Sequence, residues 1–330
     1  MSRPNKRPAP APHNADLLPG LVVAAFGRHC LVESPDGQRR ICHPRGKKNQ
    51  VVVGDRVQWS ASSDEGSIER VDERRNLFYR QDELRTKSFA ANLDQILMLI
   101  AADPEFSERQ LARALIAAEA QHIPVILGLN KSDIQPAFDR AWNRLEPYRR
   151  MGVEVLPLQL KGDTAASSEK GVEALSSRLA GQITLVLGPS GVGKSTLVNR
   201  LVPHAAALTG EISRALNSGK HTTTSTTWYW TDDTHQTALI DSPGFQEFGL
   251  NHIEPMQLAH LMPDLSVALG QCRFYNCTHL HEPGCSVRDC VAKADATEEW
   301  TGDRDRPTIS PNRYQIYSEL FAELSDKRTY

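Results

Sequence analysis

Apolar and polar positions change rhythm twice along this chain. Over residues 20–75 they alternate in short runs with turn residues between them. Residues 21–26 form one expected strand, 30–33 a second and 38–42 a third, with Ser34-Pro35-Asp36-Gly37 as a turn. Further strand-like runs follow at 51–53, 56–60 and 66–71. Short strands so closely spaced predict a small β-barrel, which buries one face of each strand and closes the sheet edges.

From about residue 86 the pattern becomes apolar runs alternating with helical periodicity. Strands are expected at 94–101, 123–129, 153–158 and 183–187, with another ending at 238–241. Helices are expected at 107–121, 137–150 and 171–180, and again from Lys194 onward, with Ser107 as an N-cap for the first. This alternation predicts a mostly parallel sheet with crossover helices. Residues 254–330 read as mostly helical, interrupted by a cluster of cysteines and histidines. The expected organisation is a tail over 1–18, a barrel over 19–78, an α/β domain over 86–252 and a helical module over 253–330.

Composition narrows the function classes. No apolar run reaches the roughly 18–20 residues that span a bilayer. The first fifteen residues are rich in Pro, Arg and Lys and lack the apolar stretch of a signal peptide, so they read as a disordered basic tail. A cytoplasmic chain is the expectation. The net charge is only −2, yet residues 1–50 carry nine Lys and Arg against three Asp and Glu. Arg39, Arg40, Arg45, Lys47 and Lys48 lie within that span, the last three in a basic loop. A basic end on a near-neutral chain predicts a polyanionic partner there. Of six cysteines, four fall between 272 and 290 beside His279 and His281. In a reducing compartment such crowding predicts a metal. Cys30 and Cys42 read as ordinary buried thiols.

Three motifs carry the candidate chemistry. Gly188-Pro189-Ser190-Gly191-Val192-Gly193-Lys194-Ser195 follows an apolar strand and opens a helix that continues through Thr196. That is the context of a P-loop, whose backbone N–H groups and helix N-terminus cradle phosphate oxygens. Lys194 is expected on the β- and γ-phosphates and Ser195 on Mg²⁺. Asp241-Ser242-Pro243-Gly244 ends another apolar strand. Its Asp suits the Mg²⁺ shell, and its Gly amide suits the γ-phosphate. Asn130-Lys131-Ser132-Asp133 closes a third strand. The Asp133 carboxylate can accept from N1–H and the 2-amino group of guanine, which adenine lacks, while Asn130 and Lys131 brace the loop and the base. A metabolic P-loop kinase would not need this last motif. The set predicts GTP and GDP as ligands.

The motif order is permuted. The guanine-reading motif precedes the P-loop, although the cyclic order is unchanged. The same sheet forms if the old termini are joined, here through the expected helix over 171–180, and a new break opens after Gly244. The segment sensing the γ-phosphate then runs straight into the C-terminal module.

In that module Cys272, Cys277, His279 and Cys285 offer three thiolates and an imidazole, a tetrahedral Zn²⁺ set with no open position. Spacing alone leaves His281 and Cys290 as alternatives. One structural Zn²⁺ per chain is expected, stapling a region with few large apolar residues.

On these motifs the chain resembles the circularly permuted, ribosome small-subunit-dependent GTPases (the ribosome biogenesis GTPase A type). The resemblance covers residues 20–325 and rests also on Asp241-Ser242-Pro243-Gly244-Phe245-Gln246-Glu247-Phe248-Gly249, on His221-Thr222-Thr223-Thr224, and on the Cys272–Cys285 spacing. It implies an N-terminal OB-type barrel, a central P-loop GTPase and a C-terminal zinc domain, with Cys272, Cys277, His279 and Cys285 as ligands. It implies that His221 begins the first switch and orients the attacking water, and that Thr223 or Thr224 binds Mg²⁺. Phe245 stands where many GTPases carry a water-orienting Gln. One departure is that no Ser-Ala-Lys base-backing motif follows the strand at 153–158, where residues 158–161 occupy its place. The implied partners are GTP and GDP, the small ribosomal subunit and its RNA, with a monomeric chain and no membrane. The implied activity is Mg²⁺-dependent GTP hydrolysis in late subunit assembly. The alternative is an RNA-binding GTP switch with negligible turnover.

Overall fold

A computed structural model describes residues 17–27, 29–46, 50–62, 65–83, 85–161, 166–202, 205, 226–245, 247–292 and 308–326. Five strands form the barrel: β1 (Leu18–Phe26), β2 (His29–Glu33), β3 (Arg39–Pro44), β4 (Arg56–Ala61) and β5 (Gly66–Val71). They run β1-β2-β3-β5-β4, and β4 pairs back onto β1 from Leu18↔Trp59 to Leu21↔Arg56. Alternating inward residues fill it, among them Val22, Val32, Val57, Trp59 and Ile68. Cys30 and Cys42 face each other across β2 and β3, and burial pushes their thiols up to about 12 and about 11. They are inert core residues, as expected.

The strand expected at 51–53 does not form. Asp55, fully buried, accepts from the Val52 N–H at 2.9 Å and pairs with Arg74 at 2.7 and 2.8 Å. This carboxylate folds the segment into a turn, leaving Val53 a single bridge to Ala90. That bridge leads to an unexpected hairpin, β6 (Leu77–Gln81) and β7 (Thr86–Ala91). Phe78 and Phe89 of the hairpin are buried against each other and against Phe248, with ring centroids 5.5–6.0 Å apart.

The α/β region comprises β8 (Gln95–Ala101), α1 (Glu108–Glu119), β9 (Val125–Asn130), α2 (Ala137–Arg144), α3 (Glu146–Arg150), β10 (Glu154–Leu158), α4 (Ala166–Leu179), β11 (Ile183–Leu187), α5 (Lys194–Leu201), β12 (Thr227–Trp230) and β13 (Ala238–Asp241). Strands β10-β9-β8-β11-β13 are parallel and β12 is antiparallel to β13. Central β8 is buried along its whole length, as a strand covered on both faces must be. Ser107 caps α1 by accepting from the Gln110 N–H at 3.3 Å. The single helix expected over 137–150 breaks at Leu145 (φ −86°, ψ 0°), because Pro147 supplies no N–H to continue the ladder. β12 also pairs with β1 at Ala24↔Thr227, so barrel and sheet share one hydrogen-bonded order.

The C-terminal module holds a 3-10 segment (Pro255–Leu261), α6 (Pro263–Ser266), α7 (Ser286–Asp289) and α8 (Pro311–Asp326). Among the described residues only α8 is long, and the rest is short turns around the cysteines. Arg313 of α8 is buried, pairs with Asp264 at 2.8 Å and lies 5.1 Å over the Tyr148 ring of α3. Glu323 receives Arg113 and Arg109 of α1, and Asn312 donates to Glu108 at 2.6 Å. The module is therefore bolted to α1 and α3. No described helix is long and apolar enough to cross a membrane.

Candidate functional site

The three motifs converge at the C-terminal edge of the parallel sheet, where α/β folds bind ligands. They line one cleft of about 1030 Å³. Its walls include Asn130, Lys131 and Asp133 around the end of β9, Ser190, Gly191 and Gly193 to Thr196 after β11, and Asp241 to Gly244 at the end of β13. The loop after β11 must turn sharply. Gly193 sits at φ 110°, and a Cβ there would fall 2.5 Å from Asn130 Nδ2.

Asn130 ties the motifs together. Its Nδ2 donates to the Val192 carbonyl at 2.8 Å, and its Oδ1 accepts from the Leu160 N–H at 3.1 Å. One buried amide thus fixes the P-loop, the guanine-reading loop and the segment after β10. Lys131 takes a left-handed conformation (φ 66°), and the Ser132 N–H donates to the Leu158 carbonyl at 3.0 Å.

The phosphate end is starved of partners. Lys194 is buried, and its ammonium donates to the Gly188 and Pro189 carbonyls at 2.7 Å each. Burial pulls its pKa down, opposed by Asp241. Burial pushes the Asp241 carboxyl up to about 6, opposed by Lys194. Its Oδ1 has no hydrogen-bond partner. Ser242 fixes the turn by donating to the Val186 carbonyl at 2.7 Å. A Cβ at Gly244 would lie 3.1 Å from Lys194 Nζ and 3.2 Å from the Ser190 nitrogen, so glycine keeps this strip clear. An orphaned carboxylate, a buried ammonium and a glycine loop that opens a helix suit a phosphate chain with a divalent cation.

Pattern reading left residues 158–161 without a role. Lys161 lines the cleft near the guanine-reading loop. No motif spells it, because its place depends on the Leu160–Asn130 hydrogen bond. Lys87 of β7 also lines the cleft and was not foreseen. His221, Thr222, Thr223, Thr224 and Gln246 lie outside the described residues, as do Lys47 and Lys48.

The second cluster is different in kind. One ligand atom from each of Cys272, Cys277, His279 and Cys285 lies within 4.8 Å of every other. His279 Nδ1 is 3.5 Å from Cys272 Sγ and 3.4 Å from Cys285 Sγ. This selects among the spacings left open: His281 and Cys290 are not in the set. The surrounding turn is tightly held. Glu282 accepts from the Thr278 N–H and hydroxyl at 2.7 and 2.6 Å, and the Tyr314 and Tyr317 hydroxyls donate to the His279 and Thr278 carbonyls at 2.7 and 2.8 Å. Three thiols and an imidazole converging this closely can hold a metal ion.

The RsgA GTPase family model matches residues 71–251. The Small ribosomal subunit biogenesis GTPase RsgA of Variovorax paradoxus (strain S110) is 66% identical over 330 residues, covering 99% of this chain and all of that protein. This chain belongs to the RsgA GTPase family. The crystal structure of YjeQ from Thermotoga maritima matches at 26% identity with a TM-score of 0.66, over 94% of this chain and all of that one. YloQ, described as a circularly permuted GTPase, shares the fold at 24% identity and a TM-score of 0.64, over 97% of this chain and all of that one. As an RsgA-family GTPase the chain is a hydrolase acting on GTP, with a permuted motif order and a closed five-stranded barrel.

In this RsgA-family chain the segment after Gly244 is clamped. Phe245 is buried edge-on to Phe248, with centroids 5.6 Å apart. The Gln81 N–H donates to the Gly249 carbonyl at 3.1 Å, and the Asn251 N–H donates to the Gln81 carbonyl at 3.0 Å. Arg113 donates to the Phe248 carbonyl at 3.2 Å while paired with Glu323. The break created by permutation is thus fastened to the hairpin, to α1 and to α8.

Proposed function

We propose that the chain is a Mg²⁺-dependent GTP hydrolase that acts in late assembly of the small ribosomal subunit. It grips subunit RNA while GTP is bound and leaves after hydrolysis. The observation that carries this is the convergence of the three motifs in one cleft, on a chain 66% identical to a small ribosomal subunit biogenesis GTPase along its whole length.

In this reading the amides from Gly188 to Thr196 and the Lys194 ammonium hold the phosphates. Ser195 and Asp241 hold Mg²⁺, whose charge neutralises the phosphate oxygens. The Gly244 amide senses the γ-phosphate. Asp133 reads the guanine edge, braced by Asn130 and Lys131, and the Lys161 stem covers a base face. His221 orients the water, because buried Phe245 has no polar group to do so, and Thr223 or Thr224 completes the Mg²⁺ shell. Cys272, Cys277, His279 and Cys285 hold one structural Zn²⁺.

RNA is gripped by the barrel's basic loop and the C-terminal module. Two of the basic residues are partly spent within the barrel: Arg39 pairs with Glu33 at 2.7 Å and Arg45 with Glu69 at 2.8 Å. Arg40 lies 5.7 Å over the Trp59 ring. The site of action is the cytoplasm, where subunits assemble.

The test is single-turnover GTP hydrolysis with and without purified small subunits, beside co-sedimentation with a non-hydrolysable GTP analogue or GDP. Stimulated turnover and retention by the GTP analogue alone are expected. Equal retention with both nucleotides and unstimulated turnover would overturn the release model.

A further inference from the structure

Phosphoryl transfer to water builds charge on oxygens that Lys194 and Mg²⁺ only partly cover. Many GTPases bring another cation from a partner or an adjacent domain. Four lysines line this cleft among the described residues: Lys87, Lys131, Lys161 and Lys194. Lys131 belongs to the guanine-reading loop. Lys161 follows Leu160, whose N–H is held by Asn130 at the root of that loop. Lys194 is the P-loop lysine. Lys87 alone belongs to none of these elements.

Its position points to the opposite end of the cleft. Lys87 stands on β7 directly across from Arg80 on β6. Arg80 donates to the Glu247 carbonyl in the segment after Gly244. The next register position, Gln81, makes the two backbone hydrogen bonds to Gly249 and Asn251. Phe89, two residues beyond Lys87, is stacked on Phe248 with planes 4° apart. Phe248 in turn meets Phe245, the neighbour of Gly244. Contacts from both strands, Arg80 and Gln81 on β6 and Phe89 on β7, therefore fasten the hairpin that carries Lys87 to the segment following Gly244.

The side chain is exposed on the cleft wall. Its ammonium lies 5.8 Å from the Phe89 ring centroid and has no carboxylate partner among the described residues. Partial burial, and then the like charge of Arg80, pull its pKa down. An ammonium in that environment gains from an anion placed beside it.

We propose that Lys87 is a further catalytic residue of this GTPase: its ammonium contacts the γ-phosphate of bound GTP from the hairpin side and stabilises the charge of the transferring phosphoryl group. The water oxygen forms a bond to the γ-phosphorus, and the bond from that phosphorus to the β,γ-bridging oxygen breaks. GDP leaves with the electron pair, and the proton from water ends on inorganic phosphate. Lys87 takes no proton and supplies positive charge only. The hairpin thereby acts as an internal finger. Its hold on residues 247–251 couples delivery of the cation to the conformation of the switch.

The inference rests on the hydrolase reading, so the wild-type rate is measured alongside it. A failure of that reading shows in the wild-type chain, whereas the variant-to-wild-type ratio reports on Lys87. The experiment compares full-length wild type, Lys87→Ala and Lys87→Arg in single-turnover hydrolysis. Affinities for GDP and for a non-hydrolysable GTP analogue are measured on the same proteins. Lys87→Ala is expected to slow turnover on the order of 10²-fold. Its GDP affinity should stay unchanged, and its capture of GDP with aluminium fluoride, a mimic of the transferring phosphoryl group, should be lost. Lys87→Arg should restore most of the rate. Unchanged turnover in Lys87→Ala would overturn the proposal. So would an equal loss of GDP affinity, since that marks a structural role.

Discussion

The nucleotide cleft and the cysteine cluster both gather polar groups onto turns, but they treat those groups in opposite ways. Around the cysteines nearly every donor and acceptor is satisfied within the module. Glu282 closes the turn, two tyrosine hydroxyls pin the carbonyls, and Ser286 donates to the Ala268 carbonyl at 2.6 Å. In the cleft, Asp241 keeps an orphaned oxygen, and Lys194 contents itself with two carbonyls of its own loop. A site that must exchange ligands leaves its strongest groups under-satisfied, and the ligand recovers the deficit. A staple that never opens is satisfied from within. The two regions meet on one connection, because the chain leaving Gly244 is held by Arg113 and through it by Glu323 of α8.

The sharpest test of the exchangeable site is its selectivity. Asp133→Asn should swing preference from guanine toward xanthine nucleotides by on the order of 10⁴, since the amide offers a donor where guanine needs a second acceptor. Competition binding with GTP and XTP measures this, and undiminished GTP affinity would remove Asp133 from the guanine edge. Next in size is Lys194→Ala. Removing the buried ammonium should slow single-turnover hydrolysis on the order of 10³-fold. Phosphate release within tenfold of wild type would mean the cleft does not work as a P-loop site.

Much of this was legible in the sequence, for a physical reason. Asn130 and Asp241 end apolar strands, Asp133 follows in the loop after β9, and Lys194 and Ser195 open the helix after β11, so a motif and its structural context are read together. The four clustered Cys and His residues were legible as a candidate metal set, but their choice over His281 and Cys290 needed three-dimensional proximity. The hairpin was not legible. Its buried Phe78 and Phe89 are separated by a charged tip, and their partner Phe248 lies far along the chain. Lys161 and Lys87 reach the cleft only through such long-range contacts. The turn at Asp55 and the break at Leu145 likewise depend on one carboxylate and one proline rather than on periodicity.

On the staple, Cys277→Ser should release the metal and lower the stability of the C-terminal module by several kcal/mol, about 3–5. Metal analysis of chelator-free protein should find one Zn²⁺ per wild-type chain and far less in the variant. Hydrogen exchange should rise after residue 265 while nucleotide affinity persists. A zinc-free wild type with a protected module would show that the turn stands on its tyrosines and Glu282 alone.

The contrast can be read in stability as well. Burial raises the Asp241 carboxyl from 3.8 to about 6 in the nucleotide-free fold. Between those values the folded chain binds more protons than the unfolded chain, so this group's contribution to stability falls as pH rises and the deficit is complete above pH 6. Asp241→Asn removes the deficit. It should stabilise the nucleotide-free protein at pH 7.5 by about 1–3 kcal/mol, less whatever Lys194 loses with its partner, and should have no such effect below pH 4. The same variant should lose Mg²⁺-dependent tightening of GTP. Denaturant melts at the two pH values measure the first effect, and destabilisation at pH 7.5 would show that Asp241 is a structural ion-pair partner of Lys194.

The smallest expected effect concerns the barrel, the region farthest in kind from the cleft. Neutralising Arg45, Lys47 and Lys48 together removes three positive charges from the loop after β3. Each phosphate contact contributes a salt slope of roughly 0.7–0.9, so three free contacts would lower the slope of subunit binding by about 2–3. Arg45 is not free. It is held by Glu69 at 2.8 Å, and Glu69 also accepts from Ser60 at 3.2 Å. Its neutralisation leaves that carboxylate facing the RNA, so part of the effect comes from an added negative charge. Lys47→Gln with Lys48→Gln should therefore lower the slope by less than 2, and adding Arg45→Gln should cost more affinity than its share of the slope. Basal turnover should not move, because no described residue of the barrel lines the nucleotide cleft. Subunit binding whose salt slope is unchanged by all three substitutions would assign RNA contact to the C-terminal module alone.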